Sequence, residues 1–158
     1  MSGCGYDASM KVEGVYSFPA PPEKVWELLL DPESLRSCIP GAESLTETSP
    51  DHWDAVMKVG VAAIRGTYKG KVGIVDKNPP TQYTLQIEGS GGPGFVKGTA
   101  VVTLEPEGDA TRVKVEGDGQ VGGMLAGVGQ RMLPGVAKML MNQFFECLIT
   151  RLGAQQAA

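Results

Sequence analysis

The run Gly89-Ser-Gly-Gly-Pro-Gly94 spells G-x-G-x-x-G, a spacing that lets a backbone approach a pyrophosphate where a helix begins. Here the next residues, Phe95-Val-Lys-Gly-Thr-Ala-Val101, alternate like a strand, and Pro93 removes an N–H that a phosphate would need. The run therefore reads as a hairpin tip beside a cavity mouth (Gly91, Gly92, Pro93, Gly94 and Phe95), either a gate or a plain turn. His52 is the chain's 1 histidine, so no paired-His zinc motif can form, and it reads as an exposed turn residue after Pro50-Asp51. Cys4, Cys38 and Cys147 are an odd number at wide spacings, which suits a reducing cytosol better than a disulfide framework; Cys38 reads as a small buried residue. Asp51, Asp54 and Glu88 fall on turns or outward faces, where solvated carboxylates have no cause for shifted acidity. No G-x-S-x-G elbow occurs. These residues predict no catalytic site and no metal site.

Binding is better represented than catalysis. Glycine accounts for 22 of 158 residues, about twice the usual share of roughly 7%. Gly66, Gly70, Gly98, Gly117 and Gly119 fall on the apolar faces of alternating segments, where each forfeits packing. They permit the bulges and sharp coiling of a cupped sheet, or they leave room beneath a covering helix; both hold together. Tyr68 and Tyr83 share those faces and carry hydroxyls that need partners, so they either orient a ligand carbonyl or are satisfied core tyrosines. Met124, Met132, Met139 and Met141 form a soft stripe, core or cavity wall. Trp26 is a core anchor or a pocket wall.

The elements that position these residues follow from periodicity. Residues 10–18 alternate, with Val12, Gly14, Tyr16 and Phe18 on one face, and predict a half-buried strand. Pro22 and Glu23 open a helix with the inward stripe Val25, Trp26, Leu29 and Leu30. Asp31-Pro32-Glu33 starts a second, short one, closed by Cys38-Ile-Pro-Gly41. From Glu43 the period is two through Val121. Six further strands follow, with Trp53, Ala55, Met57 and Val59 among the inward residues and turns at Asn78-Pro-Pro80 and Pro106-Glu-Gly-Asp109. One wet and one dry face predict an antiparallel sheet covered on one side. The cover is a long amphipathic helix from Gly122 to about Leu152, kinked at Pro134-Gly135.

The totals fit a single domain. The chain is 42% apolar and 20% charged, with net charge −4 and no Lys/Arg run, which argues against nucleic acid and against membrane attraction by charge alone. No stretch approaches the roughly 20 apolar residues of a membrane span. Residues 1–9 have neither a basic end nor an apolar core, so they form no signal peptide; they read as a frayed tail, or Met10 is the true start. The domain is expected over 10–152, with 153–158 a tail lacking a hydrophobic anchor.

This element order resembles that of the helix-grip, or START-like, superfamily (SRPBCC). Within it the chain resembles the CoxG family, named for an accessory component of carbon monoxide dehydrogenase. The resemblance rests on Ala20-Pro-Pro-Glu-Lys-Val-Trp26, Leu29-Leu-Asp-Pro-Glu33, Cys38-Ile-Pro-Gly41, Lys58-Val-Gly60, Arg65-Gly-Thr-Tyr-Lys-Gly-Lys71, Gly91-Gly-Pro-Gly-Phe95, Gln120-Val-Gly-Gly123 and Asn142-Gln-Phe-Phe145, spread over nearly the whole chain. It implies an α+β fold: a curved seven-stranded antiparallel sheet, two short helices after strand 1, and a long C-terminal helix across the concave face. It also implies an accessory protein beside molybdenum hydroxylases of the carbon monoxide dehydrogenase type, aiding recruitment to the cytoplasmic membrane and contact with lipid or quinone. Some relatives carry a C-terminal extension; without one here, membrane contact would rest on the domain's own surface or cavity. The expected ligand is an apolar lipid-like or quinone-like molecule. Its expected cavity is lined by Trp26, Leu29, Met57, Val59, Tyr68, Tyr83, Gly98, Leu125, Val128, Met132, Val136 and Met139. The expected location is the cytoplasm or the inner membrane face. A helix-grip cyclase, dehydratase or hydrolase, and a filled-core interaction module, are the alternatives.

Overall fold

A computed structural model of the chain describes residues 8–60, 65–92, 94–123, 126 and 133–157. Alternating strands place one apolar face inward, and the described residues build a single sheet from β1 (Ala8–Phe18), β2 (Ala42–Ser49), β3 (His52–Val59), β4 (Gly66–Asn78), β5 (Gln82–Gly91), β6 (Gly94–Glu107) and β7 (Ala110–Gly123). The seven strands are antiparallel in the order β1-β7-β6-β5-β4-β3-β2, so the first strand closes onto the last and β2 forms the other edge. Between β1 and β2 lie helices α1 (Pro22–Leu30) and α2 (Pro32–Cys38); α3 (Leu133–Ala157) follows the sheet.

Local chemistry fixes the two short helices. Pro22 opens α1, where its missing N–H costs nothing. Asp31 ends α1 and caps α2, its carboxylate accepting from the Ser34 amide at 3.3 Å and the Ser34 hydroxyl at 2.9 Å. The core lies between the concave face and the helices: Phe18, Val25, Leu29, Val102, Val113, Leu148 and Leu152 are almost wholly buried. On β1, Tyr16 stacks on Phe145 of α3 with ring centroids 4.3 Å apart, and Phe18 meets the same ring edge-on at 6.3 Å. The Tyr16 hydroxyl donates to Asn142 Oδ1 at 2.6 Å, and Lys138 Nζ donates to the Glu13 carbonyl. α3 thus packs chiefly along β1 and against α2.

Several expectations change. Cys38 and Cys147 form a disulfide, with Cα atoms 5.4 Å apart. Their separation of 109 residues conceals a contact that only the packing of α2 on α3 creates, so the cysteine-spacing argument for a reducing compartment falls. β7 runs on to Gly123, because cross-strand partners Phe95 and Gly94 continue the ladder where hydropathy gives no signal. The helix expected from Gly122 is described from Leu133, with Pro134 in its first turn; residues 127–132 lie outside the described residues. At the ends, β1 begins at Ala8 rather than Met10, and α3 runs past Leu152 to Ala157.

Candidate functional site

The inward residues divide into a closed base and an open rim. At the base, Tyr83 (β5) pairs with Val102 (β6), and Trp26 of α1 meets the Tyr83 ring edge-on at 5.5 Å. Burial pushes the Tyr83 phenol far above its ordinary value, so it stays protonated. Leu29, 1% exposed, belongs to this packed base and to no open wall.

Toward the other end of the same strands the side chains shrink or vanish. One concave row runs Trp53, Val72, Ile87, Gly98, Gly119 across β3 to β7. The next runs Ala55, Gly70, Gly89, Val96, Val121, and a third begins Met57, Tyr68, Gly91, Gly94, Gly123. Glycine therefore faces glycine at Gly70–Gly89, Gly98–Gly119, Gly91–Gly94 and Gly94–Gly123. Met57, Val59, Tyr68, Val72, Leu85 and Val96 are half-buried here, and Ile87 is 40% exposed. Burial raises the Tyr68 phenol above its usual range.

These glycines do two different jobs. A Cβ on Gly70 would collide with the Glu88 carbonyl oxygen, and one on Gly98 would stand 2.8 Å from that of Asp118. At those two positions the missing side chain lets adjacent strands coil together. Gly89 differs: a Cβ there would meet only Lys69 O, at 4.0 Å. Gly119 likewise has only ordinary contacts, at 3.4 Å and beyond. Bare backbone at these positions forms an open floor.

The expected cavity residues separate accordingly. Trp26, Leu29 and Tyr83 come together at the base, while Met57, Val59, Tyr68 and Gly98 lie on the rim. Val136, half-buried, and Met139, 41% exposed, sit on α3, whose main packing is on β1 at the far side of the sheet from β3. Leu125, Val128 and Met132 lie outside the described residues, as does Pro93. Of the mouth loop, Gly91 and Gly94 belong to β5 and β6, and Gly92 lies between them. Phe95 is on the convex face, where its ring covers Gly122 in the place a Cβ would take. Val72, Leu85, Ile87, Val96 and Gly89 join the rim although absent from the expected lining; sharing strand parity with Gly98 and Tyr83 was the signal for them. On the convex face a shallow polar depression of about 320 Å³ is lined by His52, Asp54, Lys71, Gln86 and Glu88 among others. His52 is exposed, its Nδ1 3.0 Å from the Pro50 carbonyl oxygen.

This geometry can be set beside known proteins. The sequence profile for the CoxG component of carbon monoxide dehydrogenase matches residues 14–153. The chain belongs to the CoxG family. A solved relative, a conserved protein from Geobacillus kaustophilus, is 35% identical to this CoxG-family chain, covers 93% of it and 96% of its own length, and superposes with a TM-score of 0.88. More distant structures share the helix-grip fold alone. The Zhui aromatase/cyclase from Streptomyces sp. R1128 is 14% identical, with 92% and 94% coverage and a TM-score of 0.68. Ara h 8.0201 is 18% identical, with 93% and 99% coverage and a TM-score of 0.67. No curated protein matches. Among the described residues of this CoxG-family chain, no helix is long and apolar enough to cross a membrane.

Proposed function

We propose that this chain is a non-catalytic accessory protein that holds an apolar, lipid-like or quinone-like molecule on its concave face. In this reading it assists membrane recruitment of a molybdenum-hydroxylase-type enzyme such as carbon monoxide dehydrogenase. The observation that supports it is the rim: a half-exposed apolar wall of Met57, Val72, Leu85, Ile87 and Val96 around a floor whose side chains are missing at Gly89 and Gly119. Apolar contact at about 25 cal/mol per Å² supplies the affinity without a charge pair. The family's description as a component of carbon monoxide dehydrogenase supports the accessory role.

Native mass spectrometry of freshly purified protein tests the carrier, together with titration of an isoprenoid quinone followed by Trp fluorescence and melting temperature. A retained apolar molecule, or saturable quenching with a raised melting temperature, is expected. No retained mass and no response to quinone or fatty acid overturns the reading. The filled-core module is favoured by one observation, the carbonyl oxygens that take the side-chain places of Gly70 and Gly98. Under that alternative, Gly89→Leu leaves every binding measurement unchanged; under the carrier reading it abolishes uptake.

A further inference from the structure

Trp53 is 3% exposed, and its indole N–H has no hydrogen-bond partner among the described residues. Two other buried side-chain donors are satisfied: Thr111 Oγ1 donates to the Ala20 carbonyl at 2.7 Å, and the Ser34 hydroxyl to Asp31 at 2.9 Å. Buried indole N–H groups ordinarily find an acceptor, and a stranded donor is costly. Replacing this tryptophan by phenylalanine would keep an aromatic ring and remove the cost, so the N–H calls for an explanation.

Its position supplies one. Trp53 lies in a concave row between the exposed Glu47 of the edge strand β2 and the run Val72, Ile87, Gly98 and Gly119. Val72, Ile87, Gly98 and Gly119 offer apolar carbon and bare backbone, and the carboxylate of Glu47, across the edge pair from Trp53, does not accept from the indole. A molecule lying along the row from Gly119 meets this unpaired donor at its Trp53 end.

Resting on the carrier reading above, we propose that Trp53 is the specificity-determining donor of the concave site. It selects apolar ligands that carry a carbonyl, ester or hydroxyl oxygen at the end that meets it. Such a ligand gains a hydrogen bond to a donor that has given up water already; a pure hydrocarbon of the same shape leaves that donor unpaired.

The test uses two probes of nearly identical shape, 2-acetylnaphthalene and 2-ethylnaphthalene, which differ by a carbonyl in place of a methylene. The wild-type protein is expected to bind the ketone about tenfold more tightly than the hydrocarbon, and Trp53→Phe to erase that preference. A second measurement needs no folded Trp53 variant. With 2 tryptophans in the chain, the indole N–H signals in an ¹H–¹⁵N spectrum are assigned through Trp26→Phe, and the Trp53 signal is expected to shift with the ketone and not with the hydrocarbon. Equal affinities for the two probes, with an unmoved Trp53 signal, overturn the assignment of Trp53 while leaving an apolar carrier intact. Failure of both probes to bind overturns the carrier reading, and the role of Trp53 with it.

Discussion

The base and the rim of the concave face are made by the same strands, yet they resolve the cost of an apolar surface in opposite ways. At the base, Phe18, Val102, Val113, Phe145 and Leu148 cover one another and leave almost nothing exposed. At the rim, Ile87 stays 40% exposed beside cross-strand glycine pairs. Burial stabilises the first region; the second forgoes it, and retains a surface that something else can cover. A fold can thus keep a rigid end and an unsaturated end on one sheet, separated by two or three residues of strand.

Substitutions should separate the two. Phe145→Ala removes a ring that both Tyr16 and Phe18 use, so a loss of about 3–5 kcal/mol in denaturant unfolding is expected. Replacing Cys38 and Cys147 together by serine removes the tie between α2 and α3 and should cost about 2–4 kcal/mol, again by equilibrium unfolding. On the rim, Gly70→Ala drives a methyl group into the Glu88 carbonyl and should cost about 1–3 kcal/mol. Gly89→Ala, its cross-strand partner, should change stability by less than about 0.5 kcal/mol. Equal losses at both glycines would erase the distinction between strand approach and open floor.

Alkali offers a gentler probe of the base. Burial raises the Tyr83 phenol, and burial together with the nearby Glu146 carboxylate raises that of Tyr16. Both therefore hold their protons more tightly in the folded chain than in the unfolded one. Above about pH 10, where unfolded tyrosines ionise, the folded state binds more protons and stability falls as pH rises. The melting temperature should decline over that interval, and Tyr83→Phe should flatten the decline. An unchanged slope in that variant would show that the base admits water.

Much of this division was legible in the chain. Alternation alone placed Trp53, Tyr83, Val102, Val113 and Val115 inward, because a strand with one buried face must repeat every second residue. Asp31-Pro32 announced the break between α1 and α2 through cap chemistry. The inward glycines were visible too, but which of them touch a neighbouring backbone depends on register, and register is a long-range property. The disulfide was hidden for the same reason. So was the stranded Trp53 N–H: its face could be read, its lack of an acceptor could not. Val136 and Met139 carried a helical stripe that fitted either side of the sheet, and the stacking of Phe145 on Tyr16 directs α3 to β1.

The covalent link between Cys38 and Cys147 has a mechanical corollary. Together they close a ring of chain that contains β2 through β7. Tugged from its termini, the oxidised molecule can lengthen only by peeling β1, α1 and α2 from one end and the tail of α3 from the other. The glycine-floored strands would remain looped throughout, shielded from the load.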